Sequence, residues 1–130
     1  MLATEKQLLL QDLSARLPYN VKCNITDFGD RTLYGIQKYK NEFYVSVGHD
    51  VSGNIIEFGL NRVRPYLRPL SNMTDEERKE LRNTMNIVNE SFYVESSETF
   101  DFYHQHHIDY RGLIDKNLAI DCSNLNLKEI

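Results

Sequence analysis

Short runs in which apolar and polar residues alternate, separated by turns too brief to hold a crossover, limit this chain more than any other feature. Val21, Cys23 and Ile25 alternate with Lys22, Asn24 and Thr26, and Phe43, Val45 and Val47 with Tyr44 and Ser46. Ile56, Phe58 and Leu60 repeat the pattern after the turn Asp50-Val51-Ser52-Gly53-Asn54. A period of two places one face of each run against a core. Residues 31–39, with Leu33, Tyr34, Ile36 and Tyr39, make a less regular fourth strand. Parallel neighbours need a connection of a dozen or more residues, so the four strands are expected to form an antiparallel meander.

Helical signals flank this block. Thr4-Glu5-Lys6-Gln7 has the spacing of a capping box, and Leu9, Leu13 and Leu17 follow at four-residue intervals before Pro18, which predicts an amphipathic helix lying on the meander. Beyond Leu60 the prolines of Arg62-Val63-Arg64-Pro65-Tyr66-Leu67-Arg68-Pro69-Leu70 exclude helix and disfavour a central strand, so the segment reads as an extended connector. Thr74-Asp75-Glu76-Glu77 is a second capping box, opening a helix whose buried stripe is expected at Leu81, Met85 and Val88. A third helix over 98–110 is expected from Phe100, Tyr103, His107 and Tyr110, with Gly112 in the left-handed conformation as its ending and Leu113 folded back on Ile108. Leu118, Ala119 and Ile120 suggest a short strand. The expected fold is α+β: an N-terminal helix on a four-stranded antiparallel meander, two further helices and a short C-terminal strand, as one domain over 1–122 with a tail at 123–130.

The net charge of -4 works against a general electrostatic grip on nucleic acid or on an anionic membrane. Charge is also divided: residues 1–70 hold nine Lys and Arg against seven Asp and Glu, residues 71–130 six against twelve, which leaves the connector as the dense basic patch. Apolar runs are too short for a membrane span or a signal peptide, and two distant cysteines, Cys23 and Cys122, make no disulfide framework. The expectation is a soluble, cytoplasmic protein with reduced thiols.

Two segments, Pro65-Tyr66-Leu67-Arg68-Pro69-Leu70-Ser71-Asn72-Met73-Thr74 and His106-His107-Ile108-Asp109-Tyr110-Arg111-Gly112-Leu113-Ile114, carry a resemblance. The chain resembles small uncharacterised proteins of gut bacteria and of their phages and integrated elements, which have a "PYLRPLSSMT" segment, an acidic helix and then an "HHFDYRGLI" segment. Asn72 stands where that group has serine, and Ile108 where it has phenylalanine. The resemblance implies a phage or mobile-element setting and brings no catalytic residue with it.

Candidate sites must come from side-chain chemistry. Asp101, His104 and His107 share a helix face at three-residue steps and are the one local metal set, whereas adjacent His106 and His107 diverge by about 100° on a helix. The competing reading is a helix end where histidines favour the negative pole. His106, His107, Asp109, Tyr110 and Arg111 form a candidate binding segment, with Arg111 as a fork for carboxylate or phosphate; the alternative is a corner fixed around Gly112. Arg62, Arg64, Tyr66 and Arg68 interleave cations with an aromatic ring as single-strand nucleic-acid grooves do, against the alternative that Tyr66 and Leu67 pin the connector while the arginines pair with the acidic start of the next helix. Cys23, in phase with Val21 and Ile25, is expected to be buried, Cys122 lacks a basic neighbour, and Asp50 beside His49 is expected to bond its own turn. The function expected is that of a non-enzymatic interaction protein of phage or mobile-element type, contacting a protein partner and no membrane, without a cofactor. A single-stranded nucleic-acid binder using residues 62–68 and a metal-dependent hydrolase are the alternatives.

Overall fold

The alternating segments do form antiparallel strands, and they are shared between two sheets. The computed structural model describes residues 1–125. Helix α1 (Ala3–Arg16) is followed by β1 (Lys22–Ile25), β2 (Gly29–Thr32), β3 (Gly35–Tyr39), β4 (Glu42–His49), β5 (Ile55–Gly59) and β6 (Val63–Leu67). Then come α2 (Asp75–Thr84), β7 (Asn86–Asn89), β8 (Phe92–Val94), α3 (Ser97–Gln105) and β9 (Ile120–Asp121). The class is therefore α+β, with an N-terminal helix, two further helices and a C-terminal strand.

The single strand expected over 31–39 is divided, which corrects the four-stranded meander. Leu33 donates its N–H to Val21 in the first sheet, and Tyr34 donates to Ser46 in the second. The first sheet has the order β2-β1-β6-β9 and the second β3-β4-β5. Gly35 marks the crossing point, where a Cβ would come within 2.9 Å of Ser46 Oγ, so a glycine permits the close approach.

The proline-bearing connector is β6, a central strand between antiparallel β1 and parallel β9, and this too corrects the expectation. Its register explains why proline is accommodated. Thr26 N–H donates to Arg62 O, so the hydrogen-bonded pairs recur at Arg62 and Arg64, and Pro65 opposite Cys23 occupies a non-hydrogen-bonded position. Pairing with β9 begins only at Tyr66, so Pro65 owes no donor on either side.

Leu9 and Leu13 of α1 pack on Cys23, Ile25, Val45, Val63 and Leu67 of both sheets, joined by Leu113 and Leu118 from the C-terminal segment. Each such side chain contributes about 1.5–3 kcal/mol of burial. Leu81 of α2 meets Phe102 and Tyr103 of α3 and Ile108 in a second, smaller cluster.

Helix boundaries differ from the expected ones for local reasons. Helix α1 starts at Ala3, with the Leu2 N–H held by Glu5 Oε1 at 2.8 Å; the Thr4 box is not used. Thr74 and Glu77 do form the reciprocal box, with Glu77 N–H to Thr74 Oγ1 at 3.1 Å and Thr74 N–H to Glu77 Oε1 at 3.0 Å. Helix α2 ends at Thr84, so Val88 lies in β7 and is exposed, not part of a buried stripe. Helix α3 ends at Gln105, and its ending is built by His107 with φ +58°, five residues before Gly112. Ile108 N–H reaches back to Tyr103 O and His107 N–H to His104 O, the Schellman pattern with a histidine in the left-handed place, and Ile108 packs on Tyr103 as that motif requires. Gly112 has φ +74° in a later turn. The expected tail begins with Leu125 N–H bonded to Cys122 O; residues 126–130 of it lie outside the described residues.

Candidate functional site

The two segments that carry the resemblance meet in space. Arg68 forms an isolated parallel bridge with Ile108: its N–H donates to His107 O and its carbonyl accepts from Asp109 N–H, both at 2.8 Å. Pro69 follows, so the strand pairing stops there. Asp109, buried at this point, turns its carboxylate onto the next corner and accepts from Leu113 N–H at 2.8 Å and Ile114 N–H at 2.9 Å. That use is the corner arrangement weighed for Asp109.

Arg111 goes elsewhere, to a seam of buried charge on α1. Asp12 and Arg16 are wholly buried, and Asp12 Oδ2 accepts from Arg16 Nε at 2.8 Å. Arg16 Nη2 donates to Ile108 O at 2.6 Å, which ties α1 to the end of α3. Arg111 Nε lies 3.3 Å from Asp12 Oδ1, and Arg111 Nη2 donates to the Tyr110 hydroxyl at 2.6 Å. That hydroxyl also contacts His104 Nε2 at 2.6 Å, while the Tyr110 ring stacks on Tyr103 at 4.8 Å. Burial pushes the Asp12 carboxyl up against the opposing pull of Arg16 and Arg111. Burial, then Arg16 and Arg111, hold His104 down at about 4. His107 is also held at about 4, by burial and then by Arg16, His106 and Arg68. Both rings are neutral at pH 7.

Asp12 and Arg16 went unremarked in the sequence reading, although the signal was there. They occupy the same i, i+3, i+4, i+7 face as Leu9 and Leu13, so two opposite charges four residues apart interrupt an apolar stripe.

The other sequence candidates are distributed by the strand geometry of β6. Arg62 donates to Thr26 O at 2.7 Å with its guanidinium 4.8 Å from the Phe58 ring, and Arg64 reaches Asn117 Oδ1 at 3.3 Å. The buried Tyr66 donates its hydroxyl to Asp30 Oδ1 at 2.6 Å. Arg68 grips Glu77 with two bonds, at 2.7 and 2.9 Å, and His106 Nδ1 lies 3.3 Å from the same carboxylate. Arg68 thus pairs with the acidic start of α2 and holds Glu77 down at about 2, while Arg62 and Arg64 take partners within the sheet region. Of the metal set, Asp101 is exposed and His104 is engaged by Tyr110. Among the described residues no three His, Cys, Asp or Glu side chains are grouped to hold a metal ion. Cys23 is buried, which pushes its thiol up to about 12, and Asp50 accepts from Ser52 and Asn54 N–H in its own turn.

A feature absent from the sequence reading stands out on the surface. Strands β7 and β8 form a two-stranded hairpin with no third strand among the described residues. Ile87 is 72% exposed, Val88 63% and Phe92 64%, with Tyr93 and Val94 nearly half exposed. The hairpin is fastened at its base, where the Ser96 hydroxyl donates to Thr84 O and Thr84 Oγ1 to Thr99 Oγ1 at 2.9 Å. An isolated hairpin of this length is marginal in water, and among the described residues no surface covers its apolar side chains.

Compared with protein-family models, with curated proteins and with solved structures, the chain has no significant match in any of the three. Among the described residues no helix is long and apolar enough to cross a membrane.

Proposed function

We propose that this protein is a non-enzymatic interaction protein of phage or mobile-element type, working in the cytoplasm through protein contacts made by the β7–β8 hairpin. The observation that carries the reading is the exposure of Ile87, Val88 and Phe92 on an arm that is joined to the body at its base. Large exposed apolar groups rimmed by polar ones mark interaction surfaces. The buried and half-buried charges support the same division. Asp12, Arg16, Arg68, Glu77 and Asp109 are engaged with one another or with backbone, as expected of groups that hold the fold rather than act on a substrate. The engagement of Arg62, Arg64 and Arg68 weighs against a nucleic-acid stripe, and the contact of His104 with the Tyr110 hydroxyl weighs against a hydrolytic metal.

A benzophenone side chain placed at position 92 tests this directly in cells of a gut bacterium. Irradiation is expected to yield a protein adduct of discrete mass that Ile87→Asp abolishes. Adducts to nucleic acid, or none to any protein, would overturn the reading.

A further inference from the structure

We infer that the hairpin pairs with a second copy of this chain through the outer edge of β8, forming a four-stranded antiparallel sheet about a two-fold axis at Tyr93. This inference rests on the proposed role of the hairpin as a contact surface and names its occupant. Exposed sheet edges are normally guarded by charge, proline or a bulge. In the first sheet the edge strands carry Asp30 and Arg31 in β2 and Asp121 in β9; in the second they carry Lys38 in β3 and Glu57 in β5. The β7 edge is neutral but bulged at Val88, where the register shifts between Ile87 and Asn89. Strand β8, Phe92-Tyr93-Val94, is short, which is itself a guard, but carries no charge, proline or bulge.

Its sequence also suits its own image. With Tyr93 on the axis, Phe92 faces Val94 of the second copy, an aromatic against a β-branched side chain, which is a favourable cross-strand pair. The pairing is confined to the three residues of β8, and Glu90 and Glu95 lie outside it, in the turn and after the strand. Two added strands bring the hairpin to a size that is stable in water. Residues 86–101 hold Glu90, Glu95, Glu98 and Asp101 and no Lys or Arg, so assembly concentrates negative charge. Salt must therefore tighten this contact, whereas it would loosen a contact with a basic partner.

Sedimentation equilibrium of the full chain between about 5 and 200 µM is expected to show a monomer–dimer equilibrium that tightens when NaCl rises from about 0.05 to 0.5 M. Phe92→Lys should weaken dimerisation at least about tenfold with an unchanged circular dichroism spectrum, while Val88→Lys on the bulged edge changes it by less than about threefold. A monomer throughout, a dimer weakened by salt, or equal loss in both variants would each overturn the inference. A monomer that still gives a protein adduct from position 92 would overturn the second copy as occupant and leave the contact role of the hairpin standing.

Discussion

The seam beneath α1 and the β7–β8 arm invert the usual sorting of side chains in opposite directions. In the seam Asp12 and Arg16 are charged and wholly buried; in the arm Ile87 and Phe92 are apolar and mostly exposed. The seam resolves most of its anomaly internally, with Arg16 on Asp12 and Ile108 O and Arg111 on Asp12 and Tyr110, while Asp12 Oδ1, Arg16 Nη1 and Arg111 Nε are left without a hydrogen-bond partner. The arm has no such resolution within the described residues. Buried polarity here belongs to the architecture, and exposed apolarity is what remains for contact with something else.

The largest expected effect is in the seam. Arg16→Met leaves Asp12 buried beside a single cation at 3.3 Å, and removing one partner of a buried pair costs about 3–5 kcal/mol. Denaturant midpoints should show this loss, and the double variant Asp12→Leu with Arg16→Met should recover much of it. A loss under about 1 kcal/mol would mean that the seam is not the structural half of the comparison.

Acid should act next, and on the seam first. His104 and His107 titrate at about 4 in the folded protein and at 6.5 when free of it, so the unfolded chain binds more protons between those values. Stability is full above pH 6.5 and declines as pH falls to about 4, by at most about 3 kcal/mol for each ring before solvent screening reduces it. Glu77, held down at about 2 by Arg68, withdraws its smaller share only below 4.5. Urea unfolding at a series of pH values reads the window, and a stability flat from pH 7 to 4.5 would contradict the burial of the two rings.

Smallest is the effect expected in the arm: Ile87→Asp should shift monomer stability by less than about 0.5 kcal/mol, because the side chain covers no core. A melting temperature that collapsed in this variant would place the arm among the elements that hold the fold and erase the contrast.

What could be read from the sequence follows the same division. Strands β1, β4 and β5 and helix α2 were legible because one periodicity and one cap set each of them. The split at Leu33 and Tyr34 was not, since a change of sheet leaves the alternation on either side intact. Proline in Arg64-Pro65-Tyr66 argued against a central strand, and only the register, which is a tertiary fact, shows that Pro65 occupies a place needing no donor. The ending of α3 was placed at Gly112 because glycine is the usual left-handed residue, whereas His107 takes that conformation under the constraint of the Arg68 bridge. Among the candidate site residues, Asp109 at a corner and Arg68 on the start of α2 were anticipated. The hairpin is hidden in the sequence because Val88 continues the helical spacing of Leu81 and Met85.

The bridge between Arg68 and Ile108 has a bearing on how this chain can change. Everything from Pro69 to His107, including both later helices and the arm, leaves the sheet and returns to it at one pair of residues. Such an excursion, about 40 residues long, is a closed loop whose entropy grows only by about 0.6 kcal/mol for each doubling of length. Insertions, deletions and altered sequence within it leave the sheet register untouched, whereas a change at its closing point disturbs β6, the corner of Asp109 and the seam at once.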